Sequence, residues 1–281
     1  MQNLETVVFP VAGLGTRMLP ATKVTPKELL PVYDTPLLQF AVEEALDAGA
    51  RHLIFVIHPD KTAIESYIRP APALEKTLVA SGKEDLLQAV RRCTTPSDVK
   101  VTFVMQHEPK GLGHAVHCAL PEGATGPVGI ILPDDLILGA PCLTEMTNAF
   151  DPETMTSLVA AQQVPRQKVS SYGIFDCDDD GSQTTAARGF VEKPAQDDAP
   201  STLAAVGRYI LMPGVFDVLG TTGQGAGGEI QLTDAIADSG GVHAFRFTGQ
   251  RFDCGSVDGM VDATLAVQAM RKRAHLSFAA E

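Results

Sequence analysis

The chain has 281 residues, enough for one large α/β domain or two small ones, and its composition is that of an ordinary globular protein. A formal net charge of −12 speaks against non-specific binding to nucleic acid or to an anionic membrane, both of which call for basic patches. Five scattered cysteines (Cys93, Cys118, Cys142, Cys177 and Cys254) show no C-x-x-C pair and no metal-ligand spacing, so they read as reduced thiols. The N-terminus lacks the basic region of a signal peptide, and the apolar run at residues 7–12 is too short to span a bilayer. A cytoplasmic location is expected.

Short β-branched runs alternate with helical patterns through the first half, which predicts a mostly parallel sheet flanked by helices. Residues 6–12 form the first strand and end in glycine. Leu38, Ala41, Val42, Ala45 and Leu46 share one face of a helix over residues 36–48, with Gly49 as its stop. A strand over 52–57 follows, then helices over 61–68 and 83–92, a strand over 99–106 and a helix over about 113–120. The apolar run at 128–132 predicts a central strand ending at Pro133-Asp134-Asp135. Beyond it, residues 155–162, 172–176, 187–191 and 204–211 read as strands with few long helices between them, an antiparallel extension. A helix over 229–237, a strand over 243–247 and a C-terminal helix over about 257–274 complete the pattern. The glycine-rich residues 220–228 read as a surface loop and not as a linker.

Gly13-Leu14-Gly15-Thr16-Arg17 stands at the carboxyl end of the first strand, where open α/β sheets bind ligands. Two glycines let a ligand approach the backbone N–H groups closely. Met18 sits where the dinucleotide fingerprint needs its third glycine, and the P-loop pattern is absent. Pro20, Pro26 and Pro31 hold an extended path that puts Arg17 and Lys27 in defined places, which suits a triphosphate. On these residues alone, a solvated surface loop is the alternative. Gly13-x-Gly15-Thr16-Arg17 followed by Pro26-Lys27 resembles the signature of sugar-nucleotide pyrophosphorylases. The longer run of residues 9–23 is similar to the bacterial UTP–glucose-1-phosphate uridylyltransferases in particular. So are Lys110-Gly111-Leu112-Gly113-His114-Ala115-Val116, Gly189-Phe190-Val191-Glu192-Lys193-Pro194 and Gly228-Glu229-Ile230-Gln231-Leu232-Thr233-Asp234-Ala235-Ile236.

The resemblance implies a Rossmann-like nucleotidyltransferase fold of class α/β, with a mostly parallel central sheet flanked by helices and an antiparallel extension. It implies one domain over residues 1–281, with a nucleotide-binding half (1–135), a sugar-binding half (136–255) and a C-terminal helix (256–281). The implied reaction transfers a uridylyl group from UTP to glucose 1-phosphate, giving UDP-glucose and pyrophosphate by in-line displacement at the α-phosphorus. The sugar phosphate is already ionised near neutral pH, so no strong general base is expected. Cations, a divalent metal (Mg²⁺) and positioning must supply the rate. Asp134, at the carboxyl end of a buried strand, suits that metal, and the resemblance makes Asp253 the second carboxylate.

Arg17 and Lys27 are thereby expected on the triphosphate and Lys193 on the sugar phosphate. Ala12, Gly13, Gly15, Gln106 and Gly111 are expected to hold the nucleotide, the Gln106 carboxamide matching the mixed donor–acceptor edge of uracil. Gly173, Glu192 and Val206 are expected around the sugar. Asp135 reads as a turn or cap residue, and His114 has no expected catalytic role. Asp176-x-Asp178-x-Asp180-Gly181 opens like a calcium loop, but Ala187 stands where its last Glu is needed, so it reads as a hairpin turn. No thiolate chemistry is expected of Cys118 or Cys254. The resemblance also implies a homo-oligomer, dimer or tetramer. The rivals are a thymidylyltransferase acting on dTTP, a nucleotide-sugar sensor that has lost a metal carboxylate or lysine, and a dinucleotide-binding dehydrogenase, weakened by Met18.

Overall fold

The computed structural model describes residues 4–119 and 126–278. The expected helix end at Leu120, the first three residues and residues 279–281 lie outside the described residues. The chain opens with β1 (Thr6–Pro10), whose Val and Phe side chains are buried on both faces, as a central parallel strand requires. The loop of residues 11–30 follows, with 3₁₀ turns at Thr16–Met18, Ala21–Lys23 and Lys27–Leu29. A small ladder of β2 (Pro31–Val32) and β3 (Thr35–Pro36) feeds α1 (Leu37–Asp47), which buries the predicted stripe and stops at Gly49. Next come β4 (His52–Ile57), α2 (Thr62–Ile68), α3 (Pro72–Ala80), α4 (Glu84–Arg92), β5 (Lys100–Met105) and α5 (Leu112–Cys118). Then β6 (Val128–Ile131) and β7 (Asp135–Leu138) flank Pro133-Asp134, and α6 (Cys142–Ala149) leads to the second half.

That half contains β8 (Ser157–Gln163), β9 (Gly173–Asp176), β10 (Thr184–Ala187), β11 (Gly189–Glu192) and β12 (Leu203–Leu211). It ends with α7 (Pro213–Leu219), α8 (Leu232–Ser239), β13 (Val242–Arg246), β14 (Gln250–Asp253) and α9 (Val257–Phe278). Ten strands share one sheet along the path β10-β13-β8-β12-β6-β1-β4-β5, with β9 and β11 joined beside β12. The stretch β6-β1-β4-β5 is parallel; β12 runs antiparallel between β6 and β8. This is the parallel sheet with an antiparallel extension that the sequence predicts. Alternate residues of each strand face two core layers, so Val7 and Phe9 pack with Leu38 and Phe55 while Val8 packs with Val56 and Val116. The β14-β7 ladder lies outside this sheet and packs Leu136, Phe252 and Cys254 against Ala263 and Val267 of α9.

Three helices escape the sequence reading: α3, α6 and α7. The Asp-rich turn also needs correction. Asp179 and Asp180 accept the N–H groups of Gly181 and Ser182, yet β9 pairs with β11 while β10 pairs with β13. The segment is therefore a crossover and not a hairpin. Arg188 holds Asp176 and Asp178, so these carboxylates serve an ion-pair network.

One buried ion pair ties the layers together. Arg208, in β12, is 1% exposed, and its Nε and Nη2 grip both carboxylate oxygens of Glu44 on α1 at 2.8–3.1 Å. Its Nη1 donates to the carbonyls of Leu132 (3.1 Å) and Gly207 (3.0 Å), and Glu44 Oε1 accepts the N–H of Leu143 at 3.0 Å. Every polar atom of the pair thus has a partner, the condition under which a buried charge is tolerated. Glu44→Ala should lose about 3–5 kcal/mol in urea denaturation, because it strands a guanidinium in the core. The double variant Glu44→Leu, Arg208→Met should recover a large part of that loss.

Candidate functional site

The loop after β1 is shaped by its own backbone. Gly15 sits at φ +65°, and a Cβ there would press within 3.3 Å of Lys27 Cβ and Thr22 Cγ2, so the loop folds back on itself at this residue. Thr22 Oγ1 donates to the Gly15 carbonyl at 2.8 Å and holds the fold. Lys27 rides a 3₁₀ turn bounded by Pro26 and Leu30, and its Nζ meets Asp134 Oδ2 at 2.5 Å. Asp134 follows β6, as its position after the apolar run predicts. The N–H of Cys254 donates to the Asp134 carbonyl at 2.8 Å, and Asp253 lies opposite Asp135 in the β14-β7 register. Arg17 reaches the same corner. A Cβ placed on Gly255 would lie 2.6 Å from Arg17 Nη2 and 3.0 Å from Asp253 Oδ1. Arg17, Lys27, Asp134 and Asp253, expected together from the resemblance, are brought together.

A second layer fixes this loop from below. Glu28 is 1% exposed and Lys61 is 7% exposed; Lys61 Nζ donates to both Glu28 oxygens (2.9 and 3.2 Å) and to the Val11 carbonyl (2.8 Å). Burial pushes the Glu28 carboxyl up and the Lys61 ammonium down, each opposed by the other's charge. Neither residue was singled out from sequence. Glu28 had one usable signal, its place within Pro26-Lys27-Glu28-Leu29-Leu30-Pro31, while Lys61 had none.

Asp135 is not a cap. Its Oδ2 accepts the N–H of Gly207 (2.7 Å) and its Oδ1 accepts Nε of Arg251 (2.7 Å). Burial pushes its carboxyl up, against the Arg251 guanidinium. Arg251 Nη1 donates to Tyr172 Oη at 3.3 Å and its guanidinium lies over the Tyr172 ring at 5.3 Å, linking the β14-β7 ladder to the residue before β9.

Of the residues expected around the sugar, Gly173 lies opposite Glu192 in the β9-β11 ladder. A Cβ on Gly173 would stand 3.1 Å from Glu192 Oε2 and 3.0 Å from Thr233 Cγ2, so this glycine keeps the space open. Thr233 Oγ1 donates to Glu192 Oε2 at 3.0 Å, an aiming contact that the motif around Thr233 contained and the residue-level reading missed. Lys193 holds φ +45°, strained for a non-glycine residue, with its side chain 54% exposed and Nζ 3.3 Å from Glu192 Oε1. Val206 is a correction. Its side chain is 2% exposed in the core layer of Leu158 and Ile210, because residues 206, 208 and 210 of β12 face away from the pocket. Ala205 is the β12 residue that faces Gly173, at 4.0 Å from its Cβ position.

Of the residues expected to hold the nucleotide, Ala12 is buried and Gly13 is exposed in the loop after β1. Gln106 follows β5 and donates Nε2 to the Gly111 carbonyl at 3.3 Å. Gly111 and Gly113 admit close backbone packing: a Cβ on either would come within 3.0 Å of the Ile230 carbonyl, which accepts the Gly113 N–H at 2.9 Å. Burial pushes the Cys254 thiol up to about 12 and also raises Cys118, which removes thiolate chemistry from both.

Asp134, just before β7, and Asp253, at the end of β14, carry oxygen donors of the kind that a hard divalent ion takes. Among the described residues no cluster of three or more His, Cys, Asp or Glu that could hold a metal ion forms.

A glycine loop carrying Arg17 and Lys27 at the carboxyl edge of the parallel strands, beside Asp134 and Asp253, is the arrangement expected of a transferase of phosphorylated nucleotides. The chain belongs to the nucleotidyl transferase family, which it matches over residues 8–270. It is 40% identical over 269 residues to the UTP–glucose-1-phosphate uridylyltransferase of Bacillus subtilis (strain 168), covering 94% of this chain and 91% of that one. Among solved structures, a UDP-glucose pyrophosphorylase complexed with UDP-glucose aligns with TM-score 0.84 at 37% identity, over 95% of this chain and 99% of that chain. A UTP-bound enzyme of the same kind from Acinetobacter baumannii aligns with TM-score 0.85 at 39% identity, over 94% and 93% of the two chains.

The Lys27–Asp134 pair makes a pH prediction. Burial alone would raise the Asp134 carboxyl, but the Lys27 ammonium and, more weakly, Arg17 hold it below its ordinary 3.8. Burial likewise opposes the Lys27 charge, but Asp134 and Glu28 hold its ammonium above the ordinary 10.5. A depressed carboxylate stabilises the fold above its unfolded value and loses that contribution as pH falls through the folded one; a raised ammonium loses its contribution only in alkali. Wild type should exceed Lys27→Ala in stability near neutral pH, and the margin should shrink as pH falls, because the buried Asp134 of the variant, without its ammonium partner, takes up its proton at a higher pH than the wild-type carboxylate; urea unfolding at each pH checks this.

Proposed function

We propose that the chain transfers the uridylyl group of UTP to glucose 1-phosphate, forming UDP-glucose and pyrophosphate, in the cytoplasm and with Mg²⁺. The observation that carries the reading is the convergence of Arg17 and Lys27 on Asp134 and Asp253 at the carboxyl edge of the sheet. Two anions must meet there, and their repulsion is the main obstacle to reaction. Arg17 and Lys27 neutralise the triphosphate, while Lys193, on its strained backbone, neutralises the sugar phosphate. Glu192, aimed by Thr233, accepts hydroxyl protons of the pyranose, and Gly173 leaves room for the ring. Ala12, Gly13 and Gly111 offer backbone groups to the nucleotide, and Gln106 offers its amide to the base. Asp134 and Asp253 would hold Mg²⁺, which supplies charge stabilisation on the phosphates when bound. No side chain need act as general base, since the attacking phosphate oxygen is already ionised.

The lysines and carboxylates that a sensor would have lost are present, and the relatives named above act on UTP or hold its product, which favours the uridylyl reading over dTTP. Val257, Val261 and Leu265 recur every fourth residue of α9 with more than half of each exposed, which supports self-association, measurable by sedimentation.

Pyrophosphate release should require UTP and glucose 1-phosphate together, and should stop in EDTA. Release from UTP alone, or in the absence of divalent metal, would sink the reading. Lys27→Ala should lower kcat by about 10²–10³-fold. Lys193→Ala should act chiefly on the KM for glucose 1-phosphate, leaving the KM for UTP within about twofold.

A further inference from the structure

Gln106 is 5% exposed, and its backbone N–H is spent on the Ile57 carbonyl at 2.9 Å. Its amide nitrogen faces two atoms, the Gly111 carbonyl at 3.3 Å and Nδ1 of His114 at 2.9 Å. A carbonyl oxygen only accepts, so the NH₂ end of the amide occupies this side. Nδ1 meets the same NH₂ group and must therefore be the unprotonated ring nitrogen. The ring proton then sits on Nε2, which faces Cys118 Sγ at 3.6 Å. Burial, with the charges of Lys110 and His117, pushes the imidazole below its ordinary value against the weaker pull of Glu108, and this favours the neutral ring.

We propose that His114 is a positioning residue that fixes the Gln106 amide in one of its two orientations and so makes the site select uracil over cytosine. The inference rests on the base-reading role given to Gln106 above. Uracil carries a donor, N3–H, which Oε1 accepts. Cytosine carries a lone pair at N3, which sets acceptor against acceptor. Turning the amide over would suit cytosine, but Oε1 would then face both the Gly111 carbonyl and Nδ1 of His114. Gly111 opposes that turn across a long contact, and His114 opposes it across a short one. Leu112 and Gly113 place His114 in the first turn of α5, above the loop that holds Gly111, so both acceptors move as one unit.

The test measures kcat/KM for UTP and for CTP, each with glucose 1-phosphate, in wild type, His114→Leu and His114→Gln. His114→Leu removes the acceptor and should lower the UTP:CTP ratio by about 10–100-fold, the worth of one lost polar contact in discrimination. The KM for glucose 1-phosphate should stay unchanged. His114→Gln restores an acceptor oxygen and should restore most of the ratio, which a merely structural role would not require. A folded His114→Leu enzyme with the wild-type ratio overturns the proposal, as does an equal fall in both variants. The tautomer gives an independent reading in the wild-type enzyme: ¹⁵N resonances of His114 should show Nε2 protonated and Nδ1 bare, and the reverse overturns the proposal even if His114→Leu fails to fold. Failure of wild type to use UTP removes the proposed function itself. Equal use of UTP and CTP by wild type removes the Gln106 role and this inference with it, while leaving the transfer reaction standing.

Discussion

A guanidinium buried in the middle of the sheet sets the position of nearly everything that meets at the site. Arg208 binds Glu44 of α1 and the carbonyl of Leu132, two residues before Asp134. The same turn of chain sends Asp135 to the N–H of Gly207, beside Arg208, and to Arg251 on β14. Arg251 goes on to Tyr172, next to Gly173. A path of charge-assisted contacts thus runs from the first helix through the carboxylate strands to the sugar side. Charges buried this deeply cost several kcal/mol each to desolvate, and a fold keeps them only where each polar atom is answered. The return on that cost is rigidity at the strand ends, where a displaced carboxylate would misalign two anions.

The net charge of −12 gives this arrangement its other constraint. A protein of that sign repels the phosphates it must hold, so cations have to be fixed where they act and kept from dispersing. Arg17 and Lys27 are held by loop geometry, and the Lys27 ammonium is fixed in place by its ion pair with Asp134 at 2.5 Å. Beneath them, Lys61 pins the start of the loop through the Val11 carbonyl and pins Glu28, the neighbour of Lys27, through an ion pair. That neighbour is what keeps the Lys27 turn against the sheet.

Much of the architecture was legible because local signals coincide with it. Runs such as Val7-Val8-Phe9 can be strands with both faces covered and little else, and Gly13 and Gly15 with three prolines mark an irregular loop at a strand end. Asp134 was legible for the same reason, as the first polar residue after the proline that ends a wholly apolar run. The struts were not. Glu28 finds Lys61 across 33 residues, Asp135 finds Arg251 across 116, and Arg208 finds Glu44 across 164. A charged residue bound for a buried partner looks, in sequence, like any solvated one. Val206 shows a different limit. Period 2 places it opposite Ala205, but which face of β12 meets the pocket depends on Asp135 and Gly173, and these come from elsewhere in the chain. The Asp-rich turn failed in the same way, since its residues specify a tight reversal without specifying which strand receives it.

The segment entering α8 shows why motifs far apart in the chain belong to one device. Ile230 accepts from Gly113 and donates to the Lys110 carbonyl, so the Gly-rich loop below Gln106 is clipped to residues 229–231 by backbone contacts alone. Any side chain at Gly111 or Gly113 would break that clip, which is why the loop carries glycine at both places. Three residues further on, Thr233 aims Glu192. The segment 230–233, where α8 begins, therefore ties the loop of Gly111 and Gly113 to the Glu192 carboxylate. A nucleotide-sugar has a fixed length between base and pyranose once its diphosphate is extended. In the proposed reading, one segment in contact with both groups of residues would hold that length without relying on the accumulated precision of several loops.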